Sequence, residues 1–382
     1  MTAYILDAVR TPRAKARPDG GLASMKPHEL VGGLIDALDA RNNGQARKVD
    51  ALILGAVGQV GAQGANVALV TKMYAGLPDD AYAYSINNYC VSGLTAIGQA
   101  AQMIEAGGAK TALAGGVEMM SRVPFMGDKA DYYEDASFPP RTRYIPVVVA
   151  ADRLAEDINV TREEMDAAAL TSQQKTAAAE GTPLVRSRIP LNGLDKEEPA
   201  RASTTAESLA AMPAAFGALG EQYAEALEGR VIDHRHTVAH APPMCDGAAL
   251  AIVTGEAVGA RAKIVAYAEA GGDPAASLTA GFTAMDRALA KADLSLDDMD
   301  RIEFMEAFAV TIVKFMRERK VDPDRVNVGG GHMAKGHPMG ATGAILLSSL
   351  LDALDVCEGR YGIVVAHGAQ GVGSAMIVER IA

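Results

Sequence analysis

Short apolar runs alternate with longer stretches of helical apolar spacing through the first third of the chain. Ala3–Ala8 and Ala51–Ala56 read as buried strands, the second bounded by charge and glycine. Tyr84–Asn87 reads as a strand leading into Cys90, and Gly93–Glu105 carries apolar residues at helical spacing. Lys110–Val117 is another buried strand. Strands alternating with helices predict parallel βαβ packing. The same order returns in the last third: Lys263–Ala268, Asp300–Phe304, Asn327–Gly331, the apolar helix Ala344–Leu354, then Tyr361–Ala366. In both thirds a turn bearing Gly or Cys opens a long apolar helix. We read this as an internal duplication of a βαβαβ-type unit, with a period far longer than a solenoid's. Two such halves face each other across a crevice at the strand carboxyl ends, where open α/β sheets bind ligands.

Between the halves the pattern changes. Ser121–Pro146 is rich in Pro, Arg, Tyr and Asp. A helix is predicted over Thr161–Glu180, with Thr161 as N-cap and Glu164 completing a capping box. Pro183–Thr205 is charged, proline-bearing loop. The predicted organisation is a first half over 1–118 and 246–259, an inserted substrate-binding region over 119–245, and a second half over 260–382.

Composition narrows the function classes. The chain has 382 residues, 49% of them hydrophobic and 22% charged, which excludes global disorder. Trp is absent and Gly numbers 39, so the core is aliphatic with close backbone approaches. A net charge of −11 gives no global drive toward nucleic acid or anionic lipid. Three scattered cysteines (Cys90, Cys245 and Cys357) form neither a disulfide framework nor a zinc pattern, and point to the reducing cytoplasm. No signal peptide pattern opens the chain, and no run of ~18 uninterrupted apolar residues predicts membrane insertion.

Cys90, in Ser-Ile-Asn-Asn-Tyr-Cys-Val-Ser-Gly (85–93), lies between a strand and an apolar helix. A thiol there feels the positive end of the helix dipole, which lowers its pKa and favours the nucleophilic thiolate. The competing reading is a small buried hydrophobe. His337, in Lys-Gly-His-Pro-Met-Gly (335–340), occupies the duplicated equivalent of the Cys90 turn, so it would face Cys90 across the crevice and deprotonate it. His367 follows an apolar strand and precedes a Gly-rich loop whose amides could hold an oxyanion. Gly329-Gly330-Gly331 matches no phosphate-cradling pattern. His234, His236 and His240 close no familiar metal motif and read as surface or loop residues. Arg10, Arg13, Lys15 and Arg17 form a basic group that is either solvated or meets an anionic partner.

Five segments then carry a family resemblance: Asn-Asn-Tyr-Cys-Val-Ser-Gly, GGVEMMSRVPF (115–125), CDGAA (245–249), MEAFA (305–309) and NVGGGHMAKGHPMGATGA (327–344). Together they resemble the thiolase family of acyl-CoA C-acyltransferases, in order and along essentially the whole chain. The resemblance implies a layered α-β-α-β-α thiolase-like fold of two halves plus an inserted loop domain that holds coenzyme A. It implies a homodimer or homotetramer, a CoA thioester as substrate and no tightly bound cofactor. It also implies that Cys90 is acylated and that His337 activates it.

The sequence departs from the family pattern at three functional positions. The Asn of the family's NEAF segment is Met305, and the second catalytic Cys aligns with His367. The hydroxyl-bearing approach to DGAA reads Ala241-Pro242-Pro243. Met offers no strong hydrogen bond to a thioester oxygen or its water. A histidine at 367 can still exchange a proton. The preferred reading is a thiolase-like acyltransferase with Cys90, His337 and His367 as catalytic residues. Its rivals are acyl transfer or hydrolysis on a non-CoA substrate, and a catalytically weak thiolase-fold subunit of a complex.

Overall fold

In the computed structural model, which describes residues 2–381, ten strands line up in one hydrogen-bonded series. They are β1 (Tyr4–Arg10), β2 (Ala14–Lys15), β3 (Ala51–Gly55), β4 (Tyr82–Ile86), β5 (Thr111–Met119), β6 (Cys245–Thr254), β7 (Ala262–Gly271), β8 (Arg301–Phe304), β9 (Tyr361–Gly368) and β10 (Val372–Arg380). The order is β4-β3-β5-β6-β1-β7-β10-β9-β8, with β2 beside β6. Read outward from the β1–β7 junction, the two sides repeat. β1-β6-β5-β3-β4 on one side matches β7-β10-β9-β8 on the other, and the bridge Ile302–Val326 stands where the fifth strand would be. The junction itself is narrow: Tyr4 pairs with Lys263 and Ile5 with Ala262.

The duplication predicted from the apolar runs is therefore present, but the pairing is mixed rather than wholly parallel. β3 runs parallel to β4 and β5, whereas β6 is antiparallel to β5 and β1. In the second half β8 and β9 are parallel and β10 is antiparallel to β9. Only the Ala369–Gly371 turn separates β9 from β10, too short for the crossover a parallel pair requires.

The helices are α1 (Pro27–Arg41), α2 (Val67–Ala75), α3 (Ser92–Glu105), α4 (Val147–Asp157), α5 (Arg162–Ala179), α6 (Ala206–Ala210), α7 (Gly217–Gln222), α8 (Ala280–Ala292), α9 (Ala309–Arg319), α10 (His332–Lys335) and α11 (Thr342–Cys357). α1 packs on β6, and α2 on β3 and β4, while α8 covers β7 and β10. α3 and α11 lie against each other, and each touches strands of both halves. This gives the α-β-α-β-α layering. The central crossing is close because glycine stands on both helices. A Cβ at Gly93 would fall 2.7 Å from the Gly340 carbonyl oxygen, and one at Gly343 2.6 Å from the Leu94 Cβ. The α5 start follows its capping box: Thr161 Oγ1 accepts the Glu164 N–H at 3.3 Å, and the Glu164 carboxylate accepts the Thr161 N–H at 2.8 Å.

Several local expectations are corrected by tertiary packing. Met339–Cys357 is long and apolar enough to cross a bilayer, although scattered Gly, Ser and Asp interrupt its apolar run. Most of it is buried between the two half-sheets as the central helix. The helix runs on through Cys357, which is half-buried. Arg10 and Arg13 are not a solvated patch; both are 1% exposed and share the buried carboxylate of Glu197. Nor are the central histidines at the surface. His236 and His240 are buried, His234 and His236 both bond Asp152, and His240 bonds Asp166 at 2.7 Å.

Candidate active site

The turn between β4 and α3 is held by its own side chains. Asn88 N–H donates to Ser92 Oγ at 2.8 Å, Ser92 Oγ donates to the Tyr89 carbonyl at 2.5 Å, and Tyr89 N–H donates to Asn87 Oδ1 at 3.0 Å. Asn87 ties the turn to Val57 and Asn88 ties it to Thr95. This network accounts for the Asn-Asn and Ser of the motif. It also holds Tyr89 at a φ of +46°, a left-handed conformation that costs roughly 1–3 kcal/mol outside glycine. Cys90 follows directly, at the edge of a cavity.

The start of α3 was expected to lower the Cys90 pKa. Burial does the opposite and pushes the thiol up to about 12, while the backbone N–H of Ala369 and that of Cys90 itself oppose the rise. Desolvation wins because the dipole is shared across a turn whereas the loss of water falls on the sulfur itself. The thiol therefore rests protonated and needs a base. The Ala369 segment approaches closely because residue 368 is glycine: a Cβ there would stand 3.2 Å from the Cys90 nitrogen.

His337 is supplied by the turn between α10 and α11. Its Nδ1 is 2.7 Å from Thr342 Oγ1, and its backbone N–H donates to the Pro243 carbonyl at 3.0 Å. Burial, helped by the nearby Arg13, draws its pKa down to about 4, so the ring is neutral at physiological pH. Met339, two residues on, lines the same cavity as Cys90 and Ala369. Gly336 takes a φ of +97° and leaves room for Cys245, whose sulfur would lie 2.7 Å from a Cβ there.

His367 is fully buried at the end of β9. Its ring stacks on Phe282 with centroids 6.4 Å apart and leans on Phe304 at 5.1 Å. Among the described residues neither ring nitrogen makes a well-aligned hydrogen bond, although a backbone contact with Met305 works to raise the ring's pKa. Burial and then the charge of His337 take its pKa to about 3, which sets the two rings in one electrostatic neighbourhood. Met305 is fully buried, and its N–H donates to the Val365 carbonyl at 2.9 Å. The next residue, Glu306, accepts from Ser172 Oγ, Asn327 Nδ2 and the Met333 N–H, and so pins the start of α10.

Several residues of this region escaped the sequence reading. Glu118, inside GGVEMMSR, accepts the N–H groups of Val57, Gly58 and Gly340 and an amide hydrogen of Gln63. A carboxylate within an apolar strand was its one signal. Thr342, which orients His337, sits five residues past it at the first position of α11 and carried no signal of its own. Lys335 is buried near Glu303 and Glu197, and burial with Arg13 and Arg10 nearby lowers its pKa to about 7. Asp128, Tyr133 and Tyr144 lie in the aperiodic Ser121–Pro146 segment and line the Cys90 cavity.

Comparison with known proteins extends these features. The thiolase N-terminal domain model matches residues 3–257 and the thiolase C-terminal domain model matches 258–380. The chain is 36% identical to a β-ketoadipyl-CoA thiolase of Acinetobacter baylyi, over 99% of each chain. It is 32% identical to an acetyl-CoA acetyltransferase of Escherichia coli, over 99% of this chain and 98% of that one. It superposes on human mitochondrial 3-ketoacyl-CoA thiolase with a TM-score of 0.85 at 27% identity, covering 100% of this chain and 99% of the other. With both halves of the sheet matched from residue 3 to residue 380, the chain belongs to the thiolase family and is an acyl-CoA acyltransferase.

Proposed function

We propose that the protein makes or breaks a carbon–carbon bond next to a CoA thioester through an acyl-enzyme on Cys90. The observation that carries this reading is a cavity lined by Cys90, by Ala369, whose backbone N–H bonds the Cys90 sulfur, and by Met339 of the turn that bears the buried, neutral His337. With Nδ1 carrying its proton and bonded to Thr342, His337 presents Nε2 as the acceptor. Nε2 takes the thiol proton as Sγ attacks the acyl carbonyl. The N–H groups of Cys90 and Ala369 receive the oxyanion. They are backbone groups, so the exchange of the family Asn for Met305 leaves this pair intact.

Collapse of the tetrahedral adduct expels either the CoA thiolate or, in cleavage of a 3-oxoacyl-CoA, the enolate of the shortened thioester. The departing thiolate recovers its proton from His337. In cleavage the enolate takes up the proton that His337 removed from the Cys90 thiol; we assign its transfer to His367, which gains a proton on one ring nitrogen as it gives one up from the other. Its low pKa makes it a weak base, so removal of the α-proton in the condensation direction is the demanding step. The second half-reaction returns the acyl group to CoA or to the carbanion.

Coenzyme A thioesters are the substrates in this reading, and no tightly bound cofactor takes part. Three free cysteines support a reducing cytoplasmic setting. Self-association to a homodimer or homotetramer is supported by the open edge of β4, where Leu69, Met73, Tyr74 and Tyr82 are exposed together on α2 and β4.

The test is CoA-dependent cleavage of acetoacetyl-CoA, followed by loss of the 3-oxoacyl thioester. Wild-type protein should turn over and Cys90→Ala should not. Equal rates for the two would remove the basis of the proposal.

A further inference from the structure

The cavity beside Cys90 is small. It holds about 40 Å³, and its lining includes Ala369 and Met339 together with Asp128, Tyr133 and Tyr144. A single water needs ~10–15 Å³ by this measure, so the space suits a few non-hydrogen atoms. Among the described residues lining it, Asp128 is the one charged side chain. The Tyr133 hydroxyl donates to both Asp128 oxygens at 2.9 Å, and the Tyr133 and Tyr144 ring centroids are 4.7 Å apart. The same two tyrosines line a second, larger cavity of about 430 Å³ on the inserted region. Its acidic lining includes Glu134, Asp135, Glu221 and Glu225, and its arginine, Arg143, is already bonded to Glu225 and to the carbonyls of Ala136 and Phe138.

We infer that Cys90 accepts short, uncharged acyl groups, that Asp128 rejects acyl groups ending in a carboxylate, and that the Tyr133–Tyr144 partition sets the chain-length limit. The inference rests on Cys90 being the acyl acceptor. In acylation the sulfur–acyl bond forms, the acyl–CoA bond breaks, and the thiol proton leaves with CoA. Cleavage of a 3-oxoadipyl thioester breaks its C2–C3 bond instead: the sulfur attacks C3, acetyl-CoA leaves as its enolate and takes up a proton, and a succinyl group remains on the sulfur. Its free carboxylate would lie toward a wall whose charge has the same sign, with no cation lining the chamber to receive it. An acetyl or butyryl group brings no charge to that wall. Longer chains meet the two rings, and the larger chamber becomes available only when the partition opens. On this inference the chain does not take the acyl substrate that the names of its β-ketoadipyl-CoA thiolase relatives carry.

The experiment measures the rate of mass gain on the intact protein with acetyl-, butyryl-, octanoyl- and succinyl-CoA. Wild type should acylate with butyryl-CoA at least about tenfold faster than with succinyl-CoA, and Asp128→Asn should narrow that ratio about threefold or more. Tyr133→Ala should raise the octanoyl-to-acetyl ratio about tenfold, whereas Tyr133→Phe, which keeps the ring, should leave it within about twofold. Succinyl-CoA reacting as fast as butyryl-CoA, or an unchanged chain preference in folded Tyr133→Ala, would overturn the inference while leaving Cys90 as acceptor. Absence of acylation with every thioester would overturn both. If Tyr133→Ala does not fold, the wild-type order and Asp128→Asn still decide the charge selection, and Tyr144→Phe and Tyr144→Leu repeat the comparison for the partition.

Discussion

Glu118 accepts the backbone N–H of Gly340 at 2.9 Å, so a carboxylate on the first half holds the turn of the second half that carries His337. The same carboxylate holds Val57 and Gly58 on the loop after β3, which borders the Cys90 cavity. One side chain therefore sets the relative position of the nucleophile's cavity and its base. Glu118→Gln turns an amide N–H₂ toward donors that need an acceptor. It should cost about 2–4 kcal/mol of stability and lower acylation of Cys90 at temperatures where the variant is still folded. Urea denaturation beside single-turnover acylation checks both. A folded variant with wild-type acylation would contradict the positioning role.

The buried arginines make a second structural claim. Glu197 is the shared partner of Arg10 and Arg13, and their charges hold its carboxyl far below the usual range despite the opposing effect of burial. Arg13 also donates to the Gly336 carbonyl at 3.2 Å, directly before His337. Removing the shared charge strands two buried guanidinium groups. Glu197→Gln should destabilise the protein by about 3–5 kcal/mol. A change under about 1 kcal/mol would show that water reaches the cluster and replaces the lost partner.

The histidines make stability depend on pH. His337 and His367 have folded pKa values of about 4 and about 3, below the unfolded value of 6.5. Above pH 6.5 both folded and unfolded chains keep these rings neutral. As pH falls, the unfolded chain binds protons that the folded chain resists, and stability is lost progressively toward the folded values. At pH 5 the loss is on the order of 2 kcal/mol for each ring. The part of the melting temperature set by these two rings should hold from pH 8 to pH 7 and fall steeply below pH 6. His367→Phe, which removes one of these rings, should flatten the slope. An unchanged slope would place the acid sensitivity elsewhere.

Cys90 should react as a protonated thiol rather than as a resident thiolate. Burial raises it to about 12, so its alkylation by iodoacetamide should keep climbing through pH 9 without a plateau. A plateau near neutral pH would mean that a thiolate–imidazolium pair exists before substrate arrives.

The duplicated architecture was legible because strand and helix periodicity are local, and because the Cys90 and His337 turns each open a helix that becomes the buried centre. The antiparallel β6 and β10 were not, since strand direction follows from connection geometry rather than from the residues of the strand. Cys90 and His337 stood out through the motifs around them. Their ionisation did not, because desolvation depends on everything packed around a group: the Cys90 shift runs against the helix-end argument. Arg10 and Arg13 read as either solvated or meeting an anionic partner, and His236 and His240 as surface or loop residues, since their partners Glu197, Asp152 and Asp166 lie far along the chain. Asp128 and Tyr133 had no periodic context, and only the closed cavity gives them a role.

The central claim is that Cys90 carries the acyl group, taken through His337. Its most direct test is intact-protein mass after brief incubation with acetyl-CoA, compared among wild type, Cys90→Ala and His337→Ala. The account predicts a gain of one acyl group on wild type, none on Cys90→Ala, and on His337→Ala a gain slowed by about 10²–10⁴-fold. The same gain on Cys90→Ala, or an undiminished rate in His337→Ala, would contradict it.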